Sequence, residues 1–440
     1  MKSRIRWLLV FWLFLLSAVA YLDRVNLSVA GTRLEADYHL RDIQLGWMFS
    51  AFLLGYAAFQ TPAGWLADRW GPRRVLSAGV LWWGVFTALT ASMPIAIGHA
   101  VLFFMSIRFL LGAGEAVIYP AANQFVARWI PTQERGAASG LIFAGVGAGA
   151  GFAPPLVTYI MLQHGWRSSF WICAAIGFAA GGVWLLAARD TPDRHPWVSA
   201  SELATIRAGL PVSTNEPSVE GAKPNTGQIL KMSVPWSSLL SKKTVWAITF
   251  SYFCFGYVAW IFFGWFYIYL TRVRGLNLKA GAFYTMLPFL AMAAFSPLGG
   301  LLSDWLTRRG GKRLGRCGVG AFGAALASVI VVVGSHVDST RLASVVLAAG
   351  AGALYLSQSS FWSITADIAG PFSGSLSGFM NMGGQIGSAV TASLTPVIAS
   401  RFGWTASFRV AAVVSILGSL AWLRVDPTRS LVPISERSQQ

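Results

Sequence analysis

Charge is what this chain lacks. Asp, Glu, Lys and Arg make up 12% of its 440 residues, where a soluble domain carries about 25%, so there is too little ionic surface to keep a chain of this size in water. Acids are the scarcer sign, 17 against 34 Lys and Arg. Cysteine is nearly absent: Cys173, Cys254 and Cys317 stand apart with no CxxC spacing, which excludes a disulfide framework and a thiol redox motif. The five histidines fall in loops or at the ends of apolar runs, and there is no HExxH, GxSxG or Walker A pattern, since Gly310-Gly311-Lys312 has no upstream partner at the right spacing. No enzyme, metal site or cofactor is therefore expected.

What the chain has is apolar length. Hydrophobic residues make up 55% and aromatics 14%, and the mean hydropathy is +0.56. Twelve apolar runs are long enough to cross a bilayer: 7–30, 43–67, 75–91, 97–127, 136–162, 168–188, 245–270, 281–302, 319–334, 342–365, 374–399 and 405–423. Six lie on each side of a polar, proline-rich segment, which predicts a six-helix bundle over 1–190, a linker over 191–243 with one short surface helix near Ser199 to Ala208, a second bundle over 244–425 and a tail over 426–440. If the first residues are cytoplasmic, the tails and the even-numbered connections hold 23 Lys and Arg, the other side nine, and Arg24 and Arg108 fall inside spans. This asymmetry predicts both termini in the cytoplasm and explains the basic balance without a nucleic-acid partner. The first run has no small-residue cleavage site and carries Asp23, Arg24 and Asn26, so it reads as a retained span.

The halves repeat. After the second run the chain reads Gly64-Trp-Leu-Ala-Asp68-Arg69-Trp-Gly71-Pro-Arg73-Arg74, and after the eighth Gly300-Leu-Leu-Ser-Asp304-Trp-Leu-Thr-Arg308-Arg309. Small residues permit close helix approach, an aspartate can cap a neighbouring helix end, and the arginines can pair with acids on a facing helix. The sequence here resembles the major facilitator superfamily, whose signature between helices 2 and 3 is Gly-x-Leu-Ala-Asp-Arg-x-Gly-x-Arg, with a weaker copy between helices 8 and 9. The resemblance implies an all-α polytopic fold of twelve transmembrane helices, in two pseudo-symmetric six-helix bundles that close around a central cavity.

Charge at membrane depth is costly and points to function. Four charged residues sit well inside spans: Asp23 and Arg24 in the first, Arg108 and Glu115 in the fourth. Arg108 lies eleven residues into its run, roughly 16 Å at 1.5 Å per residue, near the midplane. Glu115 follows two turns later on the same face, which Gly112 is expected to leave open. Two acids and two bases could equally form a structural lock within the bundle. Tyr21 and Tyr56 read as ligand groups or as core tyrosines.

Tyr21-Leu-Asp23-Arg24-Val-Asn26-Leu-Ser28-Val-Ala30 is similar to the helix 1 pattern of the anion:cation symporter family. Arg108-Phe-Leu-Leu-Gly112-Ala-Gly-Glu115, Pro131 and Glu134-Arg135-Gly136 are similar to its helix 4 elements. The resemblance implies that Asp23 and Glu115 are a protonatable pair, and that Arg24 and Arg108 serve a substrate carboxylate and the helix 4 acid. Tyr257 matches a family tyrosine in helix 7, where Phe266 and Tyr267 replace the family's Leu-Pro and put its kink in doubt. Asn381, between Gly378 and Gly384, matches the family's helix 11 Gly-x-x-Asn-x-x-Gly; Gln358 is a helix 10 amide that could face either a ligand or a neighbouring helix. The fifth run has no polar side chain from Leu141 to Pro155, and its Gly145–Gly151 glycines read as close helix packing, not as a nucleotide loop.

The resulting expectation is proton-coupled symport of a small organic anion into the cell, a sugar acid such as a hexonate or hexuronate. The alternatives are an aromatic or other carboxylate (phthalate- or tartrate-like) and sodium coupling. The expected substrate sites are Arg24, Arg108, Tyr21, Tyr56, Tyr257, Asn381 and Gln358. The expected conformational motif comprises Gly64, Asp68, Arg69, Gly71, Arg73, Asp304 and Arg308. The expected partners are the organic acid, protons and the lipid bilayer of a bacterial inner membrane, with the chain a monomer.

Overall fold

The computed structural model describes residues 4–40, 42–94, 99–210, 236–266 and 269–428. All the regular structure in these residues is helical, as a chain that must satisfy its backbone without water requires. Nine helical stretches among them are long and apolar enough to cross a membrane. Two of those, Phe283–His336 and Thr340–Phe402, are each a pair of spans joined by a tight turn, and Asp42–Trp70 is a further long helix.

The N-terminal bundle consists of α1 (Ile5–Tyr38), α2 (Asp42–Trp70), α3 (Pro72–Ser92), α4 (Ala100–Glu115, resuming as Ile118–Trp129), α5 (Arg135–His164) and α6 (Trp166–Ala187). The second bundle consists of α7 (Lys243–Trp260), α8 (Leu278–Lys312), α9 (Val319–His336), α10 (Thr340–Leu356, resuming as Gln358–Ala369), α11 (Ser373–Phe402) and α12 (Trp404–Ala421). The repeat is visible in the pairing. In the first bundle α1 packs on α5, α2 on α4 and α3 on α6; in the second α7 packs on α11, α8 on α10 and α9 on α12. The bundles meet along α2–α11 and α5–α8, which the same two-fold exchanges. Left-handed glycine turns recur in register: Gly71 (φ 87°) and Gly311 (φ 80°) follow α2 and end α8, while Gly165 (φ 79°) and Gly403 (φ 81°) join α5 to α6 and α11 to α12.

The α5 glycines face two ways. A Cβ at Gly145 or Gly149 would collide with α1 at the Phe14 or Ala18 carbonyl, and one at Gly147 would collide with α8 at the Phe289 carbonyl. The run thus lets one helix lie in close contact with two neighbours, one in each bundle.

Two local expectations change. The fourth and tenth runs are not continuous helices: each is interrupted, α4 after Glu115, ahead of Pro120, and α10 at Ser357, whose hydroxyl donates to Leu354 O at 2.6 Å. Helix 7 lacks the family proline yet still departs from α geometry, winding as π turns at Ile261–Trp265 and Tyr269–Val273; Tyr267 lies outside the described residues.

The linker helix spans Ala200–Gly209, with Ser199 Oγ accepting the N–H of Glu202 at 3.2 Å. The Glu202 carboxylate accepts the backbone N–H groups of Ile5 and Arg6, both at 3.2 Å, so the helix docks on the start of α1. The remainder of the expected linker, 211–235, and most of the expected tail lie outside the described residues.

Candidate functional site

Asp23 and Arg24 are adjacent on α1, about 100° apart around the helix, and so meet different neighbours. Arg24 Nε donates to Glu115 Oε2 on α4 at 2.7 Å. Asp23 Oδ2 accepts from Thr87 on α3 at 3.1 Å. Arg108 makes no ion pair within 4 Å among the described residues, and its Nε and Nη1 form no hydrogen bond to protein. The same is true of Arg24 Nη2, Glu115 Oε1 and Asp23 Oδ1. Several donors and acceptors of one buried cluster are thus left open, which a purely structural lock has no reason to do. Gly112 does not leave the Arg108–Glu115 face open as expected. It lets α2 approach until a Cβ would strike the Phe52 carbonyl.

A central cavity of about 60 Å³ lies between the bundles. The N-terminal bundle contributes Tyr21, Arg24, Tyr56, Tyr119 and Phe143; the second contributes Tyr252, Trp260, Tyr355, Gln358, Asn381 and Ser388. Arg24 is the only charged side chain among the lining residues, and its guanidinium carbon stands 4.3 Å from the Tyr56 ring centroid, 4.7 Å from Tyr21 and 5.0 Å from Phe52. Glu115 (0% exposed), Asp23 and Arg108 (1% each) sit behind this wall. Arg108 lies over the far partner of the cage, 5.0 Å from Phe52.

On the opposite wall Gln358 Nε2 donates to Tyr252 OH at 3.1 Å, and Trp362 Nε1 reaches the same oxygen at 3.2 Å. Asn381 Nδ2 donates across the bundle boundary to Gln60 Oε1 at 2.8 Å. Tyr257 is not at the cavity. It is buried on α7 and is not among the residues lining the cavity, while Tyr252, five residues earlier, lines the wall. Helix α5 presents only Phe143 and Val146, so no polar group comes from it. Tyr119, Tyr355 and Gln60 were not singled out in the sequence; a hydroxyl or amide inside an apolar run was the signal available.

The two motif aspartates do the same thing in each half. Asp68, at the end of α2, accepts the backbone N–H groups of Gly374 (2.9 Å) and Ser375 (2.7 Å) at the start of α11. Asp304, near the end of α8, accepts those of Gly136 (2.9 Å) and Ala137 (2.7 Å) at the start of α5. Negative charge on a helix N-terminus satisfies orphan donors and the helix dipole together. Gly64 and Gly374, and likewise Gly136 and Gly300, bring the backbones close enough for this. Two buried arginines extend the latch. Arg316 contacts Asp304 at 2.6 Å and Asp367 at 3.3 Å, and Arg135 contacts Asp367 at 2.6 Å.

Among the described residues the motif arginines expected to pair with facing acids form no such ion pair. Arg69 lies over Trp65, Arg73 Nε donates to Leu185 O at 2.8 Å, and Arg308 reaches Gln133 O at 3.4 Å. Gln124, bonded to Pro371 O and Ser373, completes the seal on this side, which also carries the start of α1 and the linker.

The Major Facilitator Superfamily profile matches residues 13–392 and 363–440. A protein of Cupriavidus necator named "Probable sulfoacetate transporter" is 33% identical over 433 residues, covering 97% of this chain and 96% of its own length. One of Escherichia coli named "Probable galactarate/D-glucarate transporter" is 31% identical over 396 residues, 88% of this chain and 86% of its own. In fold, the chain is similar to the crystal structure of the E. coli fucose:proton symporter, with a TM-score of 0.70 at 16% identity over 97% of this chain and 100% of that one.

Proposed function

The chain belongs to the major facilitator superfamily as a transporter of organic anions, not an enzyme, and from that premise we propose that it is a proton-coupled symporter bringing a sugar acid, such as a hexonate or hexuronate, into the cell. One observation carries this reading. Arg24 is the sole charged group among the described residues of the cavity wall, and it is bonded from behind to a buried carboxyl, that of Glu115.

A carboxylate entering the cavity meets the Arg24 guanidinium on its wall, whose Nη2 has no hydrogen-bond partner among the described residues, and competes with Glu115 for it. A carboxylate that loses its counter-ion in an apolar bundle is costly, and a proton from the open side neutralises it. Substrate and proton thus load together. Asp23 and Arg108 provide a second acid and base alongside, in the role the resemblance implies for them. The relatives named for galactarate, D-glucarate and sulfoacetate support an anionic, oxygen-rich substrate class. The Lys and Arg excess on the latched side supports a cytoplasmic placement for that side, so the cavity loads from outside. The motif residues Asp68 and Asp304 then hold the cytoplasmic end shut until the bundles rock.

The test is uptake of labelled gluconate and glucuronate by proteoliposomes under an imposed pH gradient, with and without sodium. Accumulation that follows the pH gradient in sodium-free buffer and disappears in Arg24→Ala is the expected result. Accumulation that needs sodium and ignores the pH gradient refutes the proton assignment.

A further inference from the structure

A second cavity, of about 320 Å³, opens on the latched side within the N-terminal bundle, remote from Arg24. Its volume falls at the lower end of small-molecule pockets, about 300–1,000 Å³. Four separate pieces of chain build it. Arg69 comes from the end of α2, Arg74 from the start of α3, Arg128 from the end of α4, and Asp190, Thr191 and Arg194 from the segment after α6.

Four guanidinium groups therefore converge with one carboxylate. That carboxylate is already engaged, since Asp190 Oδ1 accepts the backbone N–H of Arg73 at 3.0 Å. Among the described residues Arg69, Arg74 and Arg128 form no ion pair within 4 Å. The hydroxyl of Thr191 is buried and makes no hydrogen bond. A basic cytoplasmic face accounts for arginines on this side, but a merely solvated face spreads like charges apart. Here they surround a concavity that also holds a buried, unsatisfied hydroxyl.

We propose that this cavity binds a phosphate-bearing anion that holds the latch closed. Planar guanidinium groups match phosphate oxygens in pairs, and a threonine hydroxyl supplies a further donor. The regulatory consequence follows from Arg128, whose Nη2 also donates to the Asp68 carbonyl oxygen at 3.3 Å. An anion bridging Arg74, Arg128 and the segment after α6 would fix the end of α2 where the Asp68 carboxylate caps α11. The phosphate could belong to a soluble metabolite or to an anionic lipid headgroup reached past Trp70, a residue 55% exposed at the rim.

The experiment measures thermal unfolding of the purified, full-length protein. One arm adds inorganic pyrophosphate to detergent micelles against sodium chloride of equal ionic strength. The other compares nanodiscs of phosphatidylcholine with and without phosphatidylglycerol. Each is repeated with Arg74→Gln, with Thr191→Val and with Arg313→Gln, an exposed arginine of the second half as the charge-matched control. The proposal expects stabilisation in at least one arm, weakened about tenfold in midpoint concentration by Arg74→Gln, weakened by Thr191→Val and unchanged by Arg313→Gln. Stabilisation by pyrophosphate assigns a soluble ligand, and stabilisation by phosphatidylglycerol alone assigns a headgroup. No stabilisation in either arm, or equal loss in Arg74→Gln and Arg313→Gln, overturns the site.

Discussion

The Arg24–Glu115 pair can be dissected by a cycle that separates holding the fold from holding the substrate. Arg24→Ala removes a guanidinium bonded to Glu115 at 2.7 Å and leaves that carboxyl, 0% exposed, without a counter-ion. Breaking one side of a buried pair costs about 3–5 kcal/mol, so the single variant should unfold more easily. Glu115→Gln in the same chain removes the stranded charge, because the amide needs no counter-ion, and most of the lost stability should return. Substrate binding should not. The anion still enters a cavity with no cation on its wall, and losing a charge-assisted bond of about 1.5–3 kcal/mol plus the aromatic-caged guanidinium weakens affinity by about 10²-fold or more.

Unfolding midpoints and calorimetric titration with gluconate, on both single variants and the double variant, complete the cycle. A double variant that regains near-normal affinity together with stability would mean that Arg24 serves only as the counter-ion of Glu115. The pair would then be a structural lock, and the proposed substrate site would be wrong.

Three further outcomes are expected. Glu115→Gln alone should keep substrate counterflow and lose accumulation driven by a pH gradient, since an amide imitates the protonated acid but cannot release the proton; gradient-driven concentration by this variant would remove Glu115 from coupling. With one cationic side chain on the cavity wall, gluconate should compete for uptake at least about tenfold better than glucarate, which has the same skeleton but a second carboxylate to desolvate; equal competition would refute the single-charge reading of the cavity. Asp304→Asn weakens charge-assisted bonds to Arg316 and to the N–H groups of Gly136 and Ala137, worth about 1–3 kcal/mol in all. Labelling of a cysteine placed at Ser296, whose hydroxyl donates to the Gly140 carbonyl across the α5–α8 seam, should therefore rise from the latched side by tenfold or more, whereas unchanged labelling would show that this cap does not hold the end shut.

What could be read in advance follows from how each signal arises. Apolar length and the Lys and Arg asymmetry are properties of single segments, so twelve spans and two halves were legible without any contact. The motif aspartates were legible as helix caps for the same reason, but their partners were not. Asp68 bonds to Ser375, 307 residues away, and nothing local to either residue encodes that meeting. The arginine partners were misplaced because the repeated motif pointed to Arg308 for the latch, whereas Arg316, beyond the Gly311 turn, is the one brought back against Asp304.

The same limit governs the cavity wall. Tyr252 and Tyr257 differ by five residues, about 140° around a helix, so only one can face the centre, and the choice depends on how α7 rotates against α11. Resemblance selected Tyr257; packing against Gly384, where a Cβ would meet the Tyr252 ring at 2.7 Å, turns Tyr252 toward the Gln358 amide. Composition could say that a buried hydroxyl must find a partner. Which hydroxyl reaches the cavity is decided by where a glycine on the facing helix leaves room for its ring.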